Sequence, residues 1–364
     1  MKLQELCSFL DSAIPLSLQE GYDNSGLQVG LPHNNVKSAL LTLDVTEEVM
    51  EEASSGGFDL IISHHPVLFS GIKRLSGKSL PERIIIRAVK KDIAIYSAHT
   101  NLDVLADGVS RKMSEKLGLI NPKVLKPLKN KLLKLVTFIP ENHLDQVRTA
   151  VFNAGAGVIG AYDYCGFSAE GTGSFRGAPG TNPFAGKTGK IHYEKEARFE
   201  TVLFSYLKDR VTAALIKAHP YEEVAYDFYS LENDNINIGF GCIGELPAAM
   251  GENYFLKYLS QIFDARGIRF SAADGKNIKK VAVCGGAGIS LLNDAIAAGA
   301  DAFITSDIKY HSFLEAEKKL LLADIGHYES EKLSVEILYE LIIKKFPKFA
   351  VRISNINTNP INHY

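Results

Sequence analysis

Over the first third of the chain, short apolar runs alternate with amphipathic segments of helical length. Residues 39–43 read as a buried strand, Thr46 can cap a helix opened by Glu47 and Glu48, and Gly56 and Gly57 stop it. Residues 58–62 then supply the next apolar run, which makes a βαβ unit. A second helix through RIIIRAVKKD, with Pro81 in its first turn, leads to a strand at 93–96 and a helix ending near Gly118. Strands alternating with helices in this way predict a parallel sheet.

From about Pro122 the pattern changes. KPLKNKLLKLV is basic and reads as a linker, and residues 154–189 hold 10 of the chain's 30 glycines, so a different module begins here. Its predicted order is strand 132–139, helix 144–154, glycine-rich strands, helix 211–218 and strand 224–229, a split βαβ or ferredoxin-like layout. After Pro247 the first rhythm returns, with helices at 255–263, 290–298, 313–319 and 331–345 and strands at 280–284, 302–305, 320–325 and 350–353. The expected fold class is α/β: a discontinuous domain with a mainly parallel sheet from residues 1–125 and 248–364, interrupted by an α+β ferredoxin-like insert at 126–247.

The overall numbers narrow the setting. The formal charge of -2 offers no field for a polyanion, which disfavours nucleic acid as a partner. Four cysteines without a CxxC pair suit a reducing cytoplasm, and the N-terminal stretch, with Glu5 and Asp11, does not read as a signal peptide. The best apolar run, residues 281–293, falls short of the roughly 18 residues of a membrane span, so no membrane partner is expected.

Histidine carries the chemistry. His64 and His65 follow the apolar run 58–62, and Pro66 stops the strand, so both imidazoles sit at its carboxyl end, the edge where open α/β sheets bind ligands. They converge only if the turn begins there. The next strand runs into His99 and Asp103; Asp103 is either a ligand or a helix cap. A third strand runs into His327 and Glu331, which share a helix face if helix has begun by His327, but not if Ser330 is the N-cap. Three nitrogen and oxygen clusters at the ends of three parallel strands suit one or two divalent ions. Asp44 and Asp307 also sit at strand ends; Asp307 can orient a ligand or a water, and for Asp44 capping and loop hydrogen bonding fit better. Cys284 to Gly288 lacks GxGxxG spacing and reads as a tight turn near the metal edge, although its amides could receive a phosphate. Gly186-Lys187-Thr188 lacks the leading glycine and strand of a P-loop.

Five segments, GYDNSGLQVG, LIISHHPVLFSGIKRL, SAHTNLD, VCGGAG and ADAFITSDIKYH through DIGHYESE, resemble the NIF3-like family, also called the GTP cyclohydrolase type 2 family. FRGAPGTNPFAG and AHPYEEVAYDFY resemble the ferredoxin-like insert of that family's long form, which is similar to regulatory trimeric proteins. The resemblance implies a two-metal site on His64, His65, Asp103, His327 and Glu331, with zinc first and manganese or iron as alternatives, and with Asp103 or a water as the bridge. His99 lies outside that ligand set and is a candidate for proton transfer; with Asp307 it makes the candidate catalytic pair. Tyr22 stands where the family often has tryptophan. The function implied is a metal-dependent hydrolase of a nucleotide or other small phosphorylated or heterocyclic substrate, assembled as a homohexamer. A non-catalytic, metal-responsive binding or regulatory protein is the rival.

Overall fold

A computed structural model describes residues 1–272 and 275–364. The chain divides into two units: Met1–Pro127 with Ile236–Tyr364, and Leu128–Asn235. The first unit holds two sheets rather than the single sheet the sequence suggests. One has the strand order Gly26–Val29, Ala94–Ser97, Leu60–Ser63, Ser38–Thr42, Ala350–Ile353, parallel except for its first pair. The other runs Arg269–Ser271, Leu321–Asp324, Ala302–Thr305, Ile278–Val283, Asn235–Met250, Ile120–Leu128, with a parallel centre and antiparallel neighbours on both sides of it.

Alternation along each central strand explains why apolar runs without polar positions were needed. Leu60, Ile62, Val281, Val283, Ile304 and Ala323 join one core, whereas Ile61 and Ile95 face a second and Ala282, Phe303 and Leu322 a third. Both faces of each parallel centre are thus buried, and each fully buried Leu or Ile contributes about 1.5–3 kcal/mol relative to exposure. Helix caps follow the local chemistry: Thr46 accepts from the Val49 amide, and Pro81 lies in the first turn of Leu80–Lys91.

Two expectations need correction. The basic segment read as a linker begins inside an edge strand, Ile120–Leu128, whose lysines and prolines mark an edge and not a connection. Residues 236–247, assigned to the insert, form part of the 16-residue strand Asn235–Met250 and pair with Ile278–Val283 in the first unit. The polar and glycine residues in NINIGFGCIG hide that strand's alternation.

In the second unit the chain order is strand, helix, strand, strand, helix, strand, and the antiparallel sheet order is Gly166–Phe175, His192–Phe204, Leu132–Pro140, Tyr226–Leu231. This is the ferredoxin-like arrangement expected. Helices Leu144–Asn153 and Lys208–Ala218 cover one sheet face through Val147, Val151, Val211 and Leu215, packed on Leu135, Ile139 and Phe199. Among the described residues no helix is long and apolar enough to cross a membrane.

Candidate metal centre

The carboxyl ends of strands from both sheets of the first unit carry the site. Leu60–Ser63 ends directly before His64 and His65; Ala94–Ser97 leads into His99 and the short helix Thr100–Asp103; Leu321–Asp324 leads into the helix His327–Glu331. Helix has therefore begun by His327, and the open question over Ser330 closes in favour of a shared face: His327 Nε2 lies 2.8 Å from Glu331 Oε2. Asp103 ends its short helix and caps none; the next helix starts after Gly108 without a side-chain cap.

The five carboxylate and imidazole residues expected as ligands come together. Glu331 Oε2 is also 2.7 Å from His65 Nε2 and 3.9 Å from His64 Nε2, and His64 Nε2 is 3.6 Å from Asp103 Oδ1. Two donor sets result, His65 with His327 and Glu331, and His64 with Asp103 and Glu331. The residue common to both is Glu331, whereas Asp103, expected as the bridge unless a water fills that place, belongs to one. A third set joins His99 to His64 and His65.

Every ring in the cluster is held from behind. His64 Nδ1 lies 2.7 Å from the Ala98 carbonyl, His65 Nδ1 2.6 Å from Asp44 Oδ1, His327 Nδ1 2.8 Å from Asp307 Oδ2 and His99 Nδ1 2.8 Å from Asp23 Oδ1. All four partners are acceptors, so each Nδ1 carries the proton and donates. That leaves the Nε2 atoms of His64, His65 and His327 for whatever lies between them, the tautomer logic of histidine sites backed by carbonyl and carboxylate groups. Asp44 is thus more than a loop or capping residue: it orients His65 and accepts from the Thr358 hydroxyl. Asp307 backs His327 from a left-handed backbone, φ 56°, a conformation held at some strain. Asp23 also accepts from the Thr100 amide and hydroxyl, and its role was not assigned from sequence although it stands in the GYDNSGLQVG segment.

The turn after Ile278–Val283 fits tightly against this cluster. A Cβ at Gly286 would meet Glu331 Oε1 and displace that carboxylate, and the φ of 61° there itself favours glycine. The Gly286 amide donates to Ser330 Oγ and that of Gly288 to Thr305 Oγ1. With those donors engaged, the turn packs against the site through Ser330 and Thr305.

Electrostatics show the strain of a cluster of acids and imidazoles. Burial alone would lower the His65 pKa, but its hydrogen bonds to Asp44 and Glu331 outweigh burial and push it up to about 10. Burial likewise opposes the rise of His327, which Glu331 and Asp307 push up to about 9. His64, desolvated and only partly offset by Glu331, falls to about 3. Burial raises Asp103 well above the carboxylate range, reinforced by the negative Glu331; burial also works to raise Glu331, but the His327 and His65 hydrogen bonds hold it well below. His64 Nε2 and Asp103 Oδ1 are buried with no hydrogen-bond partner. Orphaned lone pairs facing each other are what a cation would satisfy, so these donors fit divalent metal.

Fold and site together define an α/β protein that gathers histidines and carboxylates at the carboxyl ends of two parallel-centred sheets. The model of the Duf34/NIF3 (NGG1p interacting factor 3) family matches residues 1–360, and the chain belongs to that family. Relatives named "GTP cyclohydrolase 1 type 2 homolog" include one from Halalkalibacterium halodurans, 40% identical over 95% of this chain and 94% of its own, and one from Bacillus subtilis, 38% identical over 98% and 97%. A solved Bacillus cereus protein related to NIF3 superposes with a TM-score of 0.87 at 37% identity, covering 100% of this chain and 99% of its own. A Staphylococcus aureus structure gives 0.77 at 30% identity, with the same coverage.

Proposed function

We propose that this chain holds two divalent cations on His64, His65, Asp103, His327 and Glu331 and uses them to hydrolyse a nucleotide or another small phosphorylated or heterocyclic substrate. The observation that carries this reading is the crowding of two imidazole Nε2 atoms, 3.4 Å apart, onto one Glu331 oxygen at 2.7 and 2.8 Å. Without a cation both nitrogens need a proton to face the carboxylate, and two such protonated rings repel. Zinc suits the donors best, with manganese and iron as alternatives set by availability. Paired divalent ions, when bound, bring water toward neutrality as a nucleophile and offset charge that builds on the substrate.

This chain's own residues do the rest. Ala98, Asp44 and Asp307 fix the three ring orientations. His99, fixed by the fully buried Asp23 side chain, keeps its second nitrogen free to hold or pass a proton; its ring is 5.3 and 5.4 Å from those of His64 and His65. Phe69, 6.2 Å from His99 and from the exposed Tyr22, offers aromatic surface beside the cluster on which a base can stack.

Access favours catalysis over storage, because the His65 and His327 side chains remain 22% and 33% exposed while His64 and Glu331 are buried. Closed coordination is the mark of structural sites. The relatives' names support a nucleotide as substrate class. The test is turnover of GTP and of simple phosphoesters by metal-replete protein, abolished in His65→Ala. Tight metal uptake with no turnover across a nucleotide panel supports the metal-responsive binding protein instead. Self-association into a homohexamer belongs to the same proposal, and a monomer by light scattering at micromolar concentration contradicts it.

A further inference from the structure

The second unit contains a cavity of about 710 Å³, within the range of small-ligand sites. None of the residues of the metal cluster lines it. Its floor is the sheet face opposite the two helices, where Phe138 pairs with Arg198 and Pro140 with Glu196 across neighbouring strands. Its walls are aromatic: the Phe175 and Phe184 rings lie 5.8 and 6.0 Å from Tyr221.

One carboxylate sits among these rings. Glu196 is only 7% exposed, and its Oε1 accepts from the Tyr221 hydroxyl at 2.7 Å. Gly173 makes the space for it, since a Cβ there would lie 2.0 Å from Glu196 Oε2. A phenol is a hydrogen-bond donor and no counter-ion, and a carboxylate so largely withdrawn from water is unfavourable without positive charge. The lining does not supply enough of it. Glu170, Glu196, Glu222 and Glu223 face two arginines, of which Arg198 is bound to Glu200 at 2.8 Å.

We propose that this cavity binds a small organic cation, an amine or guanidinium on an apolar or aromatic body, with the charged head on Glu196 and the body among Phe138, Phe175, Phe184 and Tyr221. The carboxylate provides the ion pair and the ring faces provide cation–π attraction. An anion meets a negative lining here, and a neutral apolar molecule leaves the buried charge unpaired. The site is separate from the proposed hydrolytic centre and stands whether or not that centre turns over substrate.

Calorimetric titration of the full chain at neutral pH with 2-phenylethylamine, 2-phenylethanol and 3-phenylpropionate tests it. The amine is expected to bind at least about tenfold more tightly than the other two. Glu196→Gln should weaken the amine about tenfold and bring it level with the alcohol. Gly173→Ala, which pushes the carboxylate aside, and Phe184→Ala, at a 52% exposed side chain, should each weaken it as well. Circular dichroism and thermal melting of each variant serve as the check on folding, because all three substitutions lie in the second unit. Equal binding of amine and alcohol, undiminished amine binding in all three variants, or no binding of any probe at millimolar concentration overturns the proposal.

Discussion

Glu331 Oε2 stands 2.7 Å from His65 Nε2 although 266 positions separate the two residues in the chain. The same oxygen faces His327 and, at longer range, His64, so one carboxylate ties together the two donor sets. Removing its charge should therefore empty both, whereas an Asp103 variant touches one. We expect about two ions per chain in the wild type, close to none in Glu331→Gln and about one in Asp103→Asn, read by elemental analysis after supplementation and desalting.

The residues behind the rings should matter nearly as much. Asp44→Asn and Asp307→Asn keep the shape but weaken the hold on His65 and His327 Nδ1. Metal affinity should fall about 10–100-fold in each, measured by competition with a chromophoric chelator, with little change in the folded state by circular dichroism.

Metal and protons compete for the same nitrogens. In metal-free protein His65 and His327, raised to about 10 and about 9, are doubly protonated at pH 7, so metal uptake there should release protons and affinity should climb as pH rises toward those values. Calorimetry in buffers of different ionisation enthalpy reads the release. Stability of the metal-free form follows from the same shifts. The raised histidines contribute stability that is complete below pH 6.5 and lost as pH rises through 9 and 10. His64, lowered to about 3, contributes stability present above pH 6.5 and lost as pH falls toward 3. The metal-free melting temperature should thus decline on both sides of a maximum between these limits.

Gly286→Ala tests the turn. It forces a Cβ into Glu331 Oε1 and a left-handed backbone on an L-residue, which costs about 1–2 kcal/mol before the clash is counted. Both lower metal occupancy and a lower melting temperature are expected; unchanged occupancy would show that Glu331 can move without loss.

His99→Asn should separate proton transfer from metal holding. We expect turnover to drop about 10²–10⁴-fold while metal content stays near the wild-type level, and Asp23→Asn to share the defect through loss of the His99 Nδ1 contact.

Much of this centre is legible in the chain itself because parallel strands are apolar throughout and end where chemistry begins. The runs before His64, His99 and His327 mark their strands, and the four-residue spacing of His327 and Glu331 becomes a shared helix face once the helix start is known. What pattern could not show was tertiary. Which carboxylate is common to both donor sets depends on how two sheets approach, and local spacing carries no trace of that. Asp44 looked like any aspartate after a strand, since its partner, His65, is 21 residues away. The edge strand Ile120–Leu128 was hidden for a different reason: its lysines and prolines guard an exposed edge and mimic a linker.

Anomalous diffraction from crystals grown with zinc or manganese tests the central claim most directly. Two peaks are expected in each chain, one among His65, His327 and Glu331 and one among His64, Asp103 and Glu331, with Glu331 reaching both. A cluster without peaks after supplementation, or peaks bound elsewhere on the chain, contradicts it.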